Sequence, residues 1–119
     1  MNPVVLPSRD VRLSYAGDLE GGKGRVEVYH EGEWGTVCND GISGDNAKKV
    51  IQVICKQLGY TSGVVFATGE DKRQRGAGTI WMQKVVCSGE EKNLFDCEFK
   101  WSYDYNTCWH YEDFSVDCD

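Results

Sequence analysis

Proline is almost absent from this 119-residue chain: Pro3 and Pro7 are the only two. Both lie in residues 1–9, which read as a tail ahead of a domain over residues 10–119. Long hydrophobic runs are also missing. Crossing a bilayer as a helix takes roughly 20 apolar residues. The longest apolar patches, Ile80-Trp81-Met82 and Val85-Val86-Cys87, are strand-sized, so the domain itself is not expected in the membrane. No basic start followed by an apolar run opens the chain, which reads as a domain excised from a longer protein. Histidine is scarce. His30 and His110 are the only two, and neither lies in a nucleophile motif. A phosphate-cradling glycine loop and a zinc-binding histidine pair on a helix are both lacking. These absences argue against an enzyme. Basic charge is in deficit too. The formal net charge is -6, which disfavours nucleic-acid binding, because that requires Lys and Arg to neutralise phosphates. No N-x-S/T sequon occurs, so ordinary N-glycan attachment is not expected.

What is present begins with six cysteines: Cys38, Cys55, Cys87, Cys97, Cys108 and Cys118. An even count in a short chain suggests a disulfide framework and an oxidising, extracellular compartment. Zinc sites usually show close C-x-x-C pairs, and none occurs here. Spacing alone leaves the pairing open.

Alternating apolar residues predict strands at Val11–Tyr15, Arg25–Tyr29 and Trp34–Cys38, with a turn-rich loop from Gly17 to Gly24. The second and third strands make a hairpin across Glu31-Gly32, burying Val26 and Val28. Ala47, Val50, Ile51, Ile54 and Leu58 fall at helical spacing, with Ser43 or Asp45 as N-cap and Gly59 at the end. Further strands are expected at Val64–Ala67, Thr79–Val86 and Val116–Cys118. Ser88-Gly89-Glu90-Glu91 has the form of a capping box that opens a helical turn reaching to Cys97. Glu98 to Tyr111 is rich in aromatics and has little periodicity. The sum is an α+β domain built on an antiparallel sheet.

Several segments together resemble one family. Gly24-Arg25-Val26-Glu27-Val28-Tyr29, Trp34-Gly35-Thr36-Val37-Cys38-Asn39-Asp40 and Val53-Ile54-Cys55-Lys56-Gln57-Leu58-Gly59-Tyr60 are similar to the opening of a scavenger receptor cysteine-rich domain. Gly78-Thr79-Ile80-Trp81-Met82, Cys87-Ser88-Gly89-Glu90-Glu91 and Cys108-Trp109-His110-Tyr111-Glu112-Asp113 continue the likeness, and Val116-Asp117-Cys118 ends it. The six-cysteine register resembles the group A type. That resemblance implies bridges Cys38–Cys108, Cys55–Cys118 and Cys87–Cys97, and a curved antiparallel sheet cradling one helix. On a chain-entropy argument each of the two long bridges would contribute roughly 4 kcal/mol.

The resemblance also implies a Ca²⁺ site. Family members often bind the ion through acids that follow the first cysteine and through the Glu of an H-x-E-D motif. Carried over, these are Asn39, Asp40 and Glu112, with Asp113 beside them and Asp45 as the nearest further acid. Clustered oxygen donors suit a hard cation. Asn39 departs from the pattern, because an amide brings no charge and lowers affinity. The bland alternative has Asp40 capping a turn and Glu112 or Asp113 holding backbone amides.

Lys72, Arg73 and Arg75 form a basic loop suited to sulfate, phosphate or carboxylate groups, or are simply solvated. Arg25 and Glu27, expected to face outward, lie in a segment similar to one linked to bacterial-surface binding. In the bland reading Val26, Val28 and Trp34 merely pack a hairpin. Trp101, Tyr103, Tyr105, Trp109 and Tyr111 either form a contact surface or pack beneath a loop. The function implied is an extracellular ligand-binding module of a scavenger receptor or secreted defence protein. Its ligands would be polyanions, microbial surfaces or a host protein. Two other roles stay open: an accessory module of a larger extracellular enzyme, such as a protease or amine oxidase, and a structural adhesion spacer.

Overall fold

A computed structural model describes residues 10–14, 22–66, 75–102 and 107–119. The elements run β1 (Val11–Ser14), β2 (Gly22–His30), β3 (Glu33–Val37), α1 (Gly44–Gln57), β4 (Gly63–Val65), β5 (Ile80–Val86), β6 (Glu98–Trp101) and β7 (Ser115–Cys118). One sheet holds all seven strands in the order β4-β7-β2-β3-β5-β6, with β1 added on β2. Every pairing is antiparallel except β3 with β5, which is parallel.

The sheet extends further than hydrophobic alternation suggests. Gly22 and Gly24, expected in a loop, belong to β2. A Cβ on Gly22 would run into the backbone of Cys118, and one on Gly24 into that of Ser14. Glycine here permits close strand approach, so the pair is read correctly only once its neighbours are known. The segment after Cys97, which lacks apolar periodicity, forms β6 and a 3-10 turn at His110–Glu112.

α1 packs its apolar side on the sheet. Val50, Val53, Ile54 and Cys55 are buried there with Val26, Val28, Met82 and Val116. Lys48, Lys49 and Lys56 face solvent. At the C-terminus, Tyr60 N–H donates to Cys55 O and Gly59 N–H to Lys56 O, the paired bonds of a Schellman motif. Gly59 takes φ 93°, which glycine adopts without steric cost. At the other end Ser43 is the N-cap, but its side chain makes no cap bond. Asn46 anchors this end instead. Its amide donates to Gly41 O (3.1 Å) and Val85 O (2.8 Å) and accepts from Cys87 N–H (3.2 Å), which ties α1 to β5.

The three disulfides are Cys38–Cys108, Cys55–Cys118 and Cys87–Cys97, with Cα separations of 6.2, 5.5 and 4.9 Å. They consume every cysteine. The capping box forms only in part. The Glu91 carboxylate accepts Ser88 and Gly89 N–H, but the 3-10 turn starts later, at Leu94, capped by Asn93. The box closes a loop rather than opening a helix.

Candidate functional site

The corner at Cys38–Cys108 is assembled from the end of β3 and the approach to β7. Cys38 pairs with Asp113 in an isolated antiparallel bridge. Asn39 N–H donates to Glu112 O at 2.7 Å, and Cys38 N–H to Met82 O at 2.8 Å. These backbone bonds set Asn39 and Asp40 beside Glu112, although the disulfide partners are 70 residues apart.

Each expected cation ligand has its own surroundings. The Asp40 side chain is 42% exposed, and its carboxylate meets Lys84 Nζ at 3.0 Å. Lys84 reaches it from an irregularity in β5, where the β5–β6 register shifts between Gln83 and Val86 and Lys84 takes φ 53°. Such a bulge re-aims a side chain. Glu112 is half-buried and accepts Trp109 N–H at 3.3 Å. Asp113 is committed elsewhere. It is 4% exposed, accepts Gly76 N–H at 2.7 Å and faces His110 Nδ1 at 3.0 Å. The other ring nitrogen, His110 Nε2, faces Gly78 O at 3.0 Å. Both ring nitrogens thus face oxygen atoms. Asp113 and His110 clip the 76–78 segment to the corner. Asp45 sits exposed in the first turn of α1.

As a test of fit, Asn39, Asp40 and Glu112 offer amide and carboxylate oxygens on an accessible edge, which suits a hard cation that keeps part of its water. Asp113 does not fit, because its oxygens are already taken. Asp40, Glu112 and Asp113 do not bring one oxygen each within 4.8 Å of one another. Among the described residues Cys87, Glu91 and Cys97 do bring ligand-type atoms within 4.8 Å of one another, but the two cysteines are a disulfide, and oxidised sulfur is no thiolate ligand.

Around the corner Trp109 is 63% and Tyr111 54% exposed. A shallow depression of about 290 Å³ lies alongside, lined in part by Thr79, Ser102, Cys108, Trp109 and His110. Trp101, by contrast, is packed. It stacks on His30 at 4.3 Å and meets Phe99 edge-on at 4.9 Å. Tyr103 and Tyr105 lie outside the described residues.

The expectation that Arg25 and Glu27 face outward as ligand readers is corrected. Glu27 is 7% exposed and sits between two guanidinium groups, Arg12 Nε at 2.7 Å and Arg25 Nη2 at 2.9 Å. Arg25 also donates to Ser14 Oγ at 3.0 Å. β2 is flanked by β1, β3 and β7, and side chains on its outer face, Arg12 from β1 and Arg25 from β2 itself, close over Glu27. Arg12 stands directly opposite Glu27 in register and also lies over the Trp34 ring at 4.2 Å. Trp34 meets Tyr29 at 5.2 Å on this face, away from Val26 and Val28. Of the basic loop, Lys72 and Arg73 lie outside the described residues, and Arg75 is half-buried. The contributions of Lys84 and His110 to the corner escaped sequence reasoning. Lys84 lies 44 residues from Asp40, and no local pattern links them.

An α+β domain stapled by three disulfides is the make-up of an extracellular module. No helix among its described residues is long and apolar enough to cross a membrane. The scavenger receptor cysteine-rich (SRCR) domain model matches residues 16–119, and the chain belongs to that family, a non-catalytic domain type. Lysyl oxidase homolog 2 of Xenopus laevis is 38% identical over 117 residues, covering 98% of this chain and 14% of that protein. Macrophage receptor MARCO of Mus musculus is 38% identical over 96 residues, covering 81% of this chain and 17% of the receptor. The chain thus spans only 14% and 17% of these curated relatives. Among solved structures, the third SRCR domain of murine neurotrypsin aligns with a TM-score of 0.69 and 38% identity, covering 92% of this chain and 94% of that one. The SRCR domain of mouse MARCO, in its dimeric form, gives 0.67 and 35%, covering 86% and 93%.

Proposed function

We propose that this domain is the ligand-recognition module of a scavenger receptor or secreted defence protein and that Ca²⁺ assists it at the Asn39, Asp40 and Glu112 corner. The supporting observation is the 2.7 Å Asn39–Glu112 backbone bond, which gathers oxygen donors from two distant segments beside exposed Trp109 and Tyr111. The ion, when bound, would supply a positive charge that polyanionic or microbial ligands could coordinate. The aromatic pair would add apolar contact area, and Trp and Tyr are common at binding hot spots. Calorimetric titration with CaCl₂ is expected to give saturable heat for the native domain and none for Asp40→Ala. Absence of heat from the native domain would remove the ion from this reading. Binding of dextran sulfate, measured with and without EDTA, would then show whether recognition proceeds without it.

A second reading is favoured by the relatives themselves. Lysyl oxidase homologs carry the matching region as a small part of their length. In that setting the same corner would recruit or position a larger extracellular enzyme. Flanking sequence encoding a catalytic domain would decide for it.

A further inference from the structure

β4 ends the sheet, and among the described residues no strand pairs with its outer edge. Ser62 and Asp119 exchange backbone bonds (3.1 and 2.8 Å), and Phe66 N–H donates to Ser115 O. Bonding alternates along an antiparallel strand, so the N–H and C=O groups of Gly63 and Val65 point away from β7. Val64 and Val65 are 63% and 54% exposed. Natural edges are usually blunted by charge, proline or cover, and this one is apolar.

Between this edge and the flank of α1 runs a groove of about 810 Å³. Ala47, Ile51, Val64 and Val65 supply its apolar surface. Among the described residues that line it, the charged ones are Lys48 and Lys56. In a chain of net charge -6, these two lysines concentrate positive charge on the α1 side of the groove, while Asp117 and Asp119 lie by Ser62, Gly63 and Val64 on the β7 side. The groove shares no lining residue with the depression beside Cys108.

We propose that this groove docks an extended, acidic and aliphatic segment of a partner protein, added as a strand to β4. Main-chain bonds to Gly63 and Val65 would provide affinity, as in other strand-addition complexes. The two lysines would select acidic side chains. Lys48 and Lys56 are eight residues apart on α1, or about 12 Å of helix rise, which an extended chain spans in about four residues. Side chains four apart on a strand share a face, so both acids could address the lysines while the residue between them enters the apolar floor.

The test uses a capped peptide, Thr-Glu-Thr-Val-Thr-Glu-Thr, titrated into the isotopically labelled domain and followed by NMR. Saturable shifts are expected at the Gly63, Val65 and Ile51 amides. A Lys-for-Glu peptide should leave them unmoved. Lys48→Glu with Lys56→Glu should weaken binding by about five- to tenfold, since two exposed ion pairs are lost. Val65→Pro removes an outward N–H that β7 does not use, and should abolish binding while the three disulfides and the remaining amide spectrum persist. Equal binding of both peptides, no shifts at all, or shifts indifferent to both variants would overturn the proposal. Sedimentation showing that the domain self-associates through this edge would overturn it as well, by assigning the groove to a second copy. The proposal does not depend on the Ca²⁺ reading, and calcium titration distinguishes the two failures.

Discussion

Two bridges of nearly equal reach differ in the surroundings of one end. Cys55–Cys118 spans 63 residues and Cys38–Cys108 spans 70. Cys55 and Cys118 are both buried, with Gly63 against the sulfur and Ile51 beside it. Cys38 is also buried, but Cys108 is only half-buried, and its neighbourhood is polar: Thr107, Gln83 and His110. Loop length therefore makes the two alike in the unfolded chain, and packing makes them differ in the folded one. One bridge consolidates a core, whereas the other holds oxygen-bearing side chains at the surface.

Removing the bridges is the strongest way to probe this contrast. Cys55→Ala with Cys118→Ala and Cys38→Ala with Cys108→Ala should each cost roughly 4 kcal/mol from loop entropy. The first pair also leaves a void in an apolar site, adding about 1–2 kcal/mol. Guanidinium chloride melts are expected to rank the Cys55–Cys118 deletion lower in stability. Equal midpoints would mean that surroundings contribute nothing. A gentler probe of the apolar side is Gly63→Ala. Its methyl would meet Cys55 Sγ at 2.6 Å and Asp117 O at 2.9 Å. Such overpacking should cost about 1–3 kcal/mol by thermal unfolding.

On the polar side, Lys84 already occupies Asp40 and competes with any added cation. Lys84→Gln is expected to tighten Ca²⁺ binding by about two- to fivefold in calorimetry, with little loss of stability, because the pair is exposed. The smallest effect concerns Glu91, whose pKa lies below its ordinary 4.5 chiefly because Ser88 N–H donates to the carboxylate. A depressed folded-state value means that its stabilisation is present above the unfolded value and lost as pH falls through the folded one. Urea melts from about pH 6 to about pH 3 should show the native domain losing more stability than Glu91→Gln.

Much of this fold was legible in the chain. The helix announced itself because Ala47, Val50, Ile51 and Ile54 repeat at helical spacing and all reach the core. The β2–β3 hairpin was equally plain, from alternation with a Glu31-Gly32 turn. β6 was not, since Glu98 and Lys100 are exposed while Phe99 and Trp101 are only half-buried, which leaves a faint pattern. At the corner the residues were legible and their states were not. Asp40 and Asp113 look alike in sequence, yet one meets Lys84 in solvent and the other is enclosed by Gly76 and His110.

Sequence by itself determined the class of the domain, its oxidised cysteines, its helix and most of its strands, because these follow from local periodicity and from counting sulfur. Only the tertiary structure decided which charges are spent inside the molecule. Glu27 lies between Arg12 and Arg25 because β1 is in register with β2, and Asp40 meets Lys84 because β5 bulges. Burial and charge pairing depend on which distant segments become neighbours, and no local pattern in a chain records that.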